Sequence, residues 1–423
     1  MDFRDLPKTG SYRLENMRVP ACLAGGGEGL VPLSLTIAGG RISEAPADAV
    51  LDMKGAMVFP AFTDMHTHLD KGHISPRAPN PDGTFPGALA TVGADRVANW
   101  SAEDVRARMD FSLRCAFAHG TARIRTHLDS LAPQDEISFP VFREMRAEWA
   151  GRIELQASCL VAIDRMELDG CFRRTAQIVA ESGSVLGCVA YPMPGIEAQL
   201  DGFLALAEHH GLDADFHVDE TGDPAADALR SIAEAVLRTG FQGHVTVGHC
   251  CSLAVQEEAV ALSTLDTVAR AGLHVVSLPM CNMYLQDRVA GRTPRWRGVT
   301  MVQEMKARGI PVAFASDNTR DPFYAYGDLD MLEVMREATR IAHLDHGADD
   351  WVRAFTTVPD TACRFASPGL APGAPADMVI TRARNWSELF ARPQADRIVI
   401  RAGRQVDRTL PDYSELDPLM ETA

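Results

Sequence analysis

The stretch Val58-Phe59-Pro60-Ala61-Phe62-Thr63-Asp64-Met65-His66-Thr67-His68 decides the fold. It is an apolar run closed by two histidines one residue apart. In extended backbone, residues i and i+2 point to the same side, so both imidazoles leave the end of a strand on one face. A lone histidine at a strand end is more often a core or surface residue than a ligand. The pair needs partners of the same kind elsewhere before it reads as half of a metal site.

Downstream, short apolar runs alternate with helical segments at a spacing that suggests repeated βα units. The strand candidates are residues 122–127, 153–160, 185–190, 214–217, 244–248, 274–277 and 312–315. Helical stretches separate them, among them 102–118, 202–210, 225–239 and 300–308. With the strand before His66 the count is eight, which predicts an α/β fold of the (β/α)8 TIM-barrel type. The chain ends read differently. Leu35-Thr36-Ile37-Ala38-Gly39-Gly40-Arg41-Ile42 has the pattern of a hairpin around a Gly-Gly turn, and 376–380 and 397–406 are strand-like runs broken by glycine. Both ends are therefore expected to pair into a small β-sandwich domain, residues 1–58 with 366–423, around a catalytic barrel of residues 59–365.

In such a barrel, catalytic groups lie at the C-terminal ends of strands. Strand 1 ends in His66-x-His68, strand 5 in His217-Val218-Asp219-Glu220, strand 6 in His249 and strand 8 in Ser316-Asp317-Asn318. His66, His68, His217 and Asp317 together offer three nitrogens and one carboxylate, a set that suits Zn²⁺ or Fe²⁺ and leaves room for a water.

Composition bounds the partners. The 423 residues are 46% hydrophobic and 23% charged, as in ordinary globular proteins. A formal net charge of −16 argues against a nucleic-acid partner, which needs clustered Lys and Arg. No apolar run approaches the length of about 18 residues that spans a membrane. The opening MDFRDLPKTG lacks the apolar core of a signal peptide. The nine cysteines form no C-x-x-C pair, so a reduced cytoplasmic protein with buried thiols is expected, including Cys250 and Cys251 beside His249. A homo-oligomer is also expected.

At this point the chain resembles the amidohydrolase superfamily, and within it the bacterial cytosine deaminase branch. The resemblance rests on the order H-x-H, His, His, Asp and on β-rich chain ends. Narrower segments carry it too: Arg125-Thr126-His127-Leu128-Asp129, Phe216-His217-Val218-Asp219-Glu220, Asn282-Met283-Tyr284-Leu285-Gln286-Asp287-Arg288, and Ser316-Asp317-Asn318-Thr319-Arg320-Asp321-Pro322. It implies that His249 orients a water or polarises developing charge, and that Asp317 accepts a proton as well as ligating. Glu220 is implied as the proton shuttle to a ring nitrogen and the departing amine, and Gln286 as a ring-recognition residue. Binuclear members bridge two metals through a lysine on strand 4. Residues 185–192 contain none, so one metal is expected.

The chain departs from the branch in three places. Pro60-Ala61 stands where Pro-Gly is usual. Val161-Ala162 stands where the branch carries a ring-reading glutamine on strand 3. Asn318 replaces a second Asp, and can donate as well as accept, so it admits a ring with a different edge. Triazine-directed relatives share the Ser-Asp-Asn-x-Arg-Asp form but lack the Glu after the third His. The expected activity is hydrolytic deamination of an amino-substituted N-heterocycle, cytosine or a 5-substituted cytosine first. The alternatives are an isopropylammelide-type amidohydrolase, or a deaminase of a purine, pterin or creatinine-like ring. Trp100, Trp296 and Phe323 are read as stacking surface or core, and His127 as structural or lying behind the ligands. Asp70 and Lys71 carry no assignment.

Overall fold

The computed structural model describes residues 6–166, 170–346 and 350–421. The amino-terminal region forms β1 (Tyr12–Pro20), β2 (Leu30–Ala38), β3 (Arg41–Ser43), β4 (Ala49–Asp52) and β5 (Met57–Pro60). The expected hairpin joins β2 to β3, with Gly39 and Gly40 at φ 59° and 80°. Positive φ at both central residues is what a type I′ turn demands, and glycine meets it without Cβ strain.

The opening stretch turns out to be two strands rather than one. β5 pairs antiparallel with a carboxy-terminal strand (Met378–Thr381), whereas β6 (Phe62–Thr67) pairs parallel with β7 (Thr121–Asp129). The switch falls at Ala61, whose N–H goes to Asp377 O, while Phe62 N–H goes to Gly120 O. Pro60, with no N–H to offer, ends the first ladder.

The remaining parallel strands are β8 (Glu154–Leu160), β9 (Leu186–Ala190), β10 (Ala214–Val218), β11 (Val245–His249), β12 (His274–Ser277) and β13 (Val312–Phe314). They pair in chain order as two curled sheets, β6-β7-β8 and β9 to β13. Parallel bridges Ser158–Val185 and Ala162–Val189 join the sheets on one side, and Thr67–Asp317 joins them on the other. The arrangement is consistent with a TIM-type barrel. Every residue of β6 is buried, as strands covered on both faces require.

Helices follow the strands and are stopped by ordinary devices. Helix 102–119 starts where the Ser101 side chain accepts from Asp104 N–H, and it ends at left-handed Gly120. The helix expected from residue 202 begins earlier, at Ile196, directly after left-handed Gly195. An additional helix, Phe85–Asn99, lies between β6 and helix 102–119.

The carboxy-terminal strands β14 (Met378–Thr381), β15 (Ile398–Arg401) and β16 (Arg404–Gln405) complete one continuous eight-stranded sheet with β1–β5. Side-chain alternation makes this sheet a divider. Val58, Met378, Ile380, Ile398 and Ile400 join Leu14, Val19 and Ile37 in a core built from both chain ends. Met57, Phe59, Val379 and Val399 face the other way, into the large core around the parallel strands.

Seven of the nine cysteines are buried, as expected for small apolar filler, and none is paired in a disulfide among the described residues. Among the described residues, no helix is long and apolar enough to cross a membrane.

Candidate active site

Strand ends β6, β10 and β13 bring four side chains together. His66 Nε2 lies 3.0 Å from His217 Nε2, and His217 Nε2 lies 3.3 Å from His68 Nε2. Asp317 Oδ1 is 3.5 Å from His66 Nε2 and 3.2 Å from His68 Nε2. Bonds of about 2.0–2.2 Å to a tetrahedral ion set ligand separations of roughly 3.3–3.6 Å, close to these four distances. Two overlapping sets, His66, His68, His127 and His217, and His66, His249 and Asp317, bring their donor atoms within 4.8 Å of one another.

Their electrostatics fit the same occupant. Burial, reinforced by neighbouring imidazoles and by Lys71, holds His66, His68 and His217 well below the usual histidine range. Their rings are therefore neutral and keep a lone pair. Burial pushes the Asp317 carboxyl up to about 7, and neither of its oxygens has a hydrogen-bond partner. A buried carboxylate facing imidazole lone pairs is unfavourable unless a cation lies between them. The donor set fits a divalent ion.

Local sequence explains the placement. A Cβ on Gly248 would stand 3.0 Å from the His66 ring, so glycine lets that ring enter. Asp64 on β6 accepts from Ser316 N–H at 3.0 Å and from Ser316 Oγ at 2.5 Å, and Asp317 N–H donates to His66 O. First and last strands are thus tied at the ligands. His249 and Asp317 hold left-handed φ of 69° and 64°, a strained state for residues with a Cβ.

A second group flanks the first. Asn282 Nδ2 donates to His249 Nδ1 at 2.9 Å and to Glu220 Oε1 at 3.1 Å. An amide nitrogen has two hydrogens, so one asparagine can serve both. Because His249 Nδ1 accepts, the proton of the neutral ring is on Nε2, which is buried and unpartnered. Burial, with His127 nearby, brings His249 down to about 3, so the ring is neutral. Burial, and next the Asp317 carboxyl, raise Glu220 well above the usual carboxylate range. Asp219 fixes this loop by accepting from Ala228 and Leu229 N–H at the start of helix 228–239.

Beneath the ligands, His127 Nε2 lies 3.1 Å from Asp215 Oδ1, and Arg125 donates to Asp215 Oδ2 at 2.8 Å. The His127 ring stands 4.0 Å from that of His66, centre to centre. His127 shares a possible ligand cluster with His66, His68 and His217. His127 also faces Asp215, and Asp317 belongs to a second cluster with His66 and His249.

A cavity of about 560 Å³ opens beside these groups. His68, His217, Glu220, His249, Gln286 and Asn318 all reach its wall. Gln286 already donates to Glu220 O, and Asn318 to Asp321 Oδ2. Val161 and Ala162 line the wall where a ring-reading glutamine was absent from the sequence. Of the three aromatics considered for stacking, Phe323 lines the cavity. Trp100 is buried with its Nε1–H on Asp95, and the Trp296 ring lies against Gly222.

Sequence reading missed Asn282 as the link between His249 and Glu220, although it opens a segment already singled out. It also left Lys71 unassigned. Lys71 lines the cavity with its Nζ 3.1 Å from Asp129 Oδ1, and Arg96 holds the other Asp129 oxygen at 2.9 Å.

The Amidohydrolase family model matches residues 169–407. A pterin deaminase of Rhizobium rhizogenes (strain K84) is 54% identical over 431 aligned residues, 99% of each chain. A 5-methylcytosine deaminase from Klebsiella pneumoniae, solved with 5-fluorocytosine, superposes with a TM-score of 0.79 at 24% identity, covering 95% of this chain and 98% of that one. An N-isopropylammelide isopropylaminohydrolase from Burkholderia multivorans gives 0.74 at 25% identity, covering 95% and 100%. The chain belongs to the amidohydrolase family, as a hydrolase acting on carbon–nitrogen bonds other than peptide bonds.

Proposed function

We propose that this chain is a hydrolytic deaminase of 2-amino-4-oxopteridines, the pterins. The observation that carries the reading is the 54% identity to a pterin deaminase across 99% of both chains. The cavity supports it: about 560 Å³ is more room than a single pyrimidine ring fills. Cytosine, the first expectation from sequence, therefore yields to the pterin among the alternatives.

His66, His68, His217 and Asp317 would hold one divalent ion, Zn²⁺ or Fe²⁺. Bound there, such an ion supplies a Lewis acid that brings the pKa of a coordinated water toward about 7. The protein's part is proton handling and placement. His249 presents its Nε2–H to the oxygen that adds to carbon 2 of the ring. Glu220, kept protonated by burial, gives its proton to the ring nitrogen next to that carbon. Asp317 would take up the protons of the added water, one returning to Glu220 and the other passing to the exocyclic nitrogen as its bond to C2 breaks, which leaves the 2-oxo ring and ammonia. Asn282 keeps His249 and Glu220 in register throughout. Gln286 and Asn318 stand at the ring edge. Residues 59–365 form the catalytic barrel in this reading, and 1–58 with 366–423 an accessory β domain.

The test is to incubate the purified chain, loaded with Zn²⁺ or Fe²⁺, with pterin, cytosine and N-isopropylammelide. Ammonia release matched by formation of the 2,4-dioxo ring from pterin is expected. Turnover of cytosine or isopropylammelide with none of pterin would overturn the reading.

A further inference from the structure

Helix Phe85–Asn99 is outside the repeating βα pattern, and one face of it forms a wall of the cavity. Phe85, Pro86, Leu89, Val92, Gly93 and Arg96 all line that wall. At 100° per residue these six positions fall within about a third of a turn, so a single stripe looks at the ligand space.

The helix is also pinned by polar contacts on it and just before it. Asp95 accepts from Arg77 Nε and Nη2 at 2.9 and 3.0 Å and from Trp100 Nε1 at 2.7 Å. Arg96 donates to Asp129 at 2.9 Å, and Asn80, just before the helix, donates to Pro322 O at 3.0 Å. Arg77 and Pro322 lie on the loops that follow β6 and β13, and Asp129 ends β7. The wall therefore keeps a fixed distance from the ligand cluster.

Two glycines interrupt this helix, for different reasons. A Cβ at Gly87 would stand 2.2 Å from Asp82 Oδ1, so a side chain there would have to displace the Asp82 carboxylate. At Gly93 a Cβ would meet nothing within 4 Å. Gly93 is inside the helix and is not in the left-handed region. Neither backbone conformation nor packing requires glycine, and glycine is a poorer helix former than alanine. What its missing side chain preserves is open cavity.

We infer that the helix Phe85–Asn99 reads the part of the substrate beyond the reacting ring, and that Gly93 sets the size of substituent admitted on the pyrazine ring of a pterin. This rests on the pterin reading. A bare bicycle leaves part of a 560 Å³ cavity unused, and the space over Gly93 takes a substituent that extends from the ring along the helix.

The experiment compares pterin with a 6-substituted pterin of several added heavy atoms, on the metal-loaded chain and on Gly93→Leu. Ala94→Leu, one residue on and exposed to solvent, controls for added bulk on the helix. kcat and KM are measured for both substrates. Binding is followed by quenching of pterin fluorescence, a readout independent of turnover. In Gly93→Leu, kcat/KM for the substituted pterin is expected to fall at least tenfold further than for pterin, through KM and with a matching rise in Kd, while Ala94→Leu follows the native chain. Equal losses on both substrates, or no change on either, would overturn the role of Gly93 while leaving the deaminase reading intact. A native chain that turns over neither pterin removes both readings, and that outcome is recognised before any variant is made.

Discussion

The strand ends divide the cavity into two unlike halves. β6, β10, β11 and β13 end in His66, His68, His217, Glu220, His249 and Asp317. β8 and β9, on the side opposite in chain order, end in Val161, Ala162, Val189 and Ala190, with Leu160 beside them. The first half is crowded with groups whose protonation is fixed by burial and by one another. The second offers shape and apolar surface. In the proposed reading the reacting groups and the apolar wall that shapes the space for the ring come from different strands, so that wall can change while the chemistry stays.

Loss of the carboxylate of the polar half is expected to have the largest effect. Asp317→Ala leaves three imidazoles and no charge to balance an ion. Bound divalent metal is expected to fall toward zero, and kcat/KM by more than about 10⁴-fold. Elemental analysis beside an ammonia assay checks both, and a variant that keeps its ion and its turnover would remove Asp317 from the site.

Glu220→Gln separates binding of the ion from movement of the proton. Glu220 is buried beside the ligand cluster and is held by Asn282. The glutamine keeps the size of the side chain but carries no transferable acid proton. kcat is expected to drop by about 10²- to 10⁴-fold with metal content unchanged. Loss of the ion along with activity would instead make Glu220 a structural member of the cluster.

Asn282→Ala tests whether the polar half works as one unit. It removes the donors to His249 Nδ1 and Glu220 Oε1 at once. A loss of about 10- to 100-fold is expected, as for partners that orient a metal site from behind. In the Glu220→Gln background the further loss should be much smaller, because the shared task is already gone. Full additivity would show that Asn282 acts on His249 alone.

How far the two halves were legible follows from what each is made of. H-x-H at a strand end, and single polar residues at later strand ends, show through in sequence because their spacing repeats a βα unit. Seven of the eight strands of the parallel array fall within two residues of the expected bounds, and the first, expected only as the strand before His66, is β6. The break of the opening stretch into β5 and β6 was hidden, because an apolar run looks alike whichever sheet it joins. Asn282 was hidden because its role needs two partners brought from distant strands. Helix Phe85–Asn99 was hidden for a third reason. Its two internal glycines weaken the helical signal, and its ligand-facing stripe resembles a core-facing one. The chain ends pair, as their patterning led one to expect, in one continuous sheet with a shared core; what local patterning does not encode is how that sheet is arranged.

The smallest effect sharpens the apolar half. Ala162 lines the cavity at the end of β8, where the sequence carries no glutamine, and its backbone bridges to Val189 whatever the side chain is. Ala162→Gln adds bulk and an amide to this wall without touching the ligands. KM for pterin should rise about tenfold, some 1.4 kcal/mol, with kcat nearly kept, since the new group crowds ground state and transition state alike. If kcat falls instead and KM is kept, the apolar half also shapes the transition state. The separation of chemistry from recognition would then hold at the level of sequence but not of energy. If turnover of a single-ring substrate such as cytosine appears as that of pterin recedes, shape alone sets the choice between them, and the polar half is indifferent to which ring it deaminates.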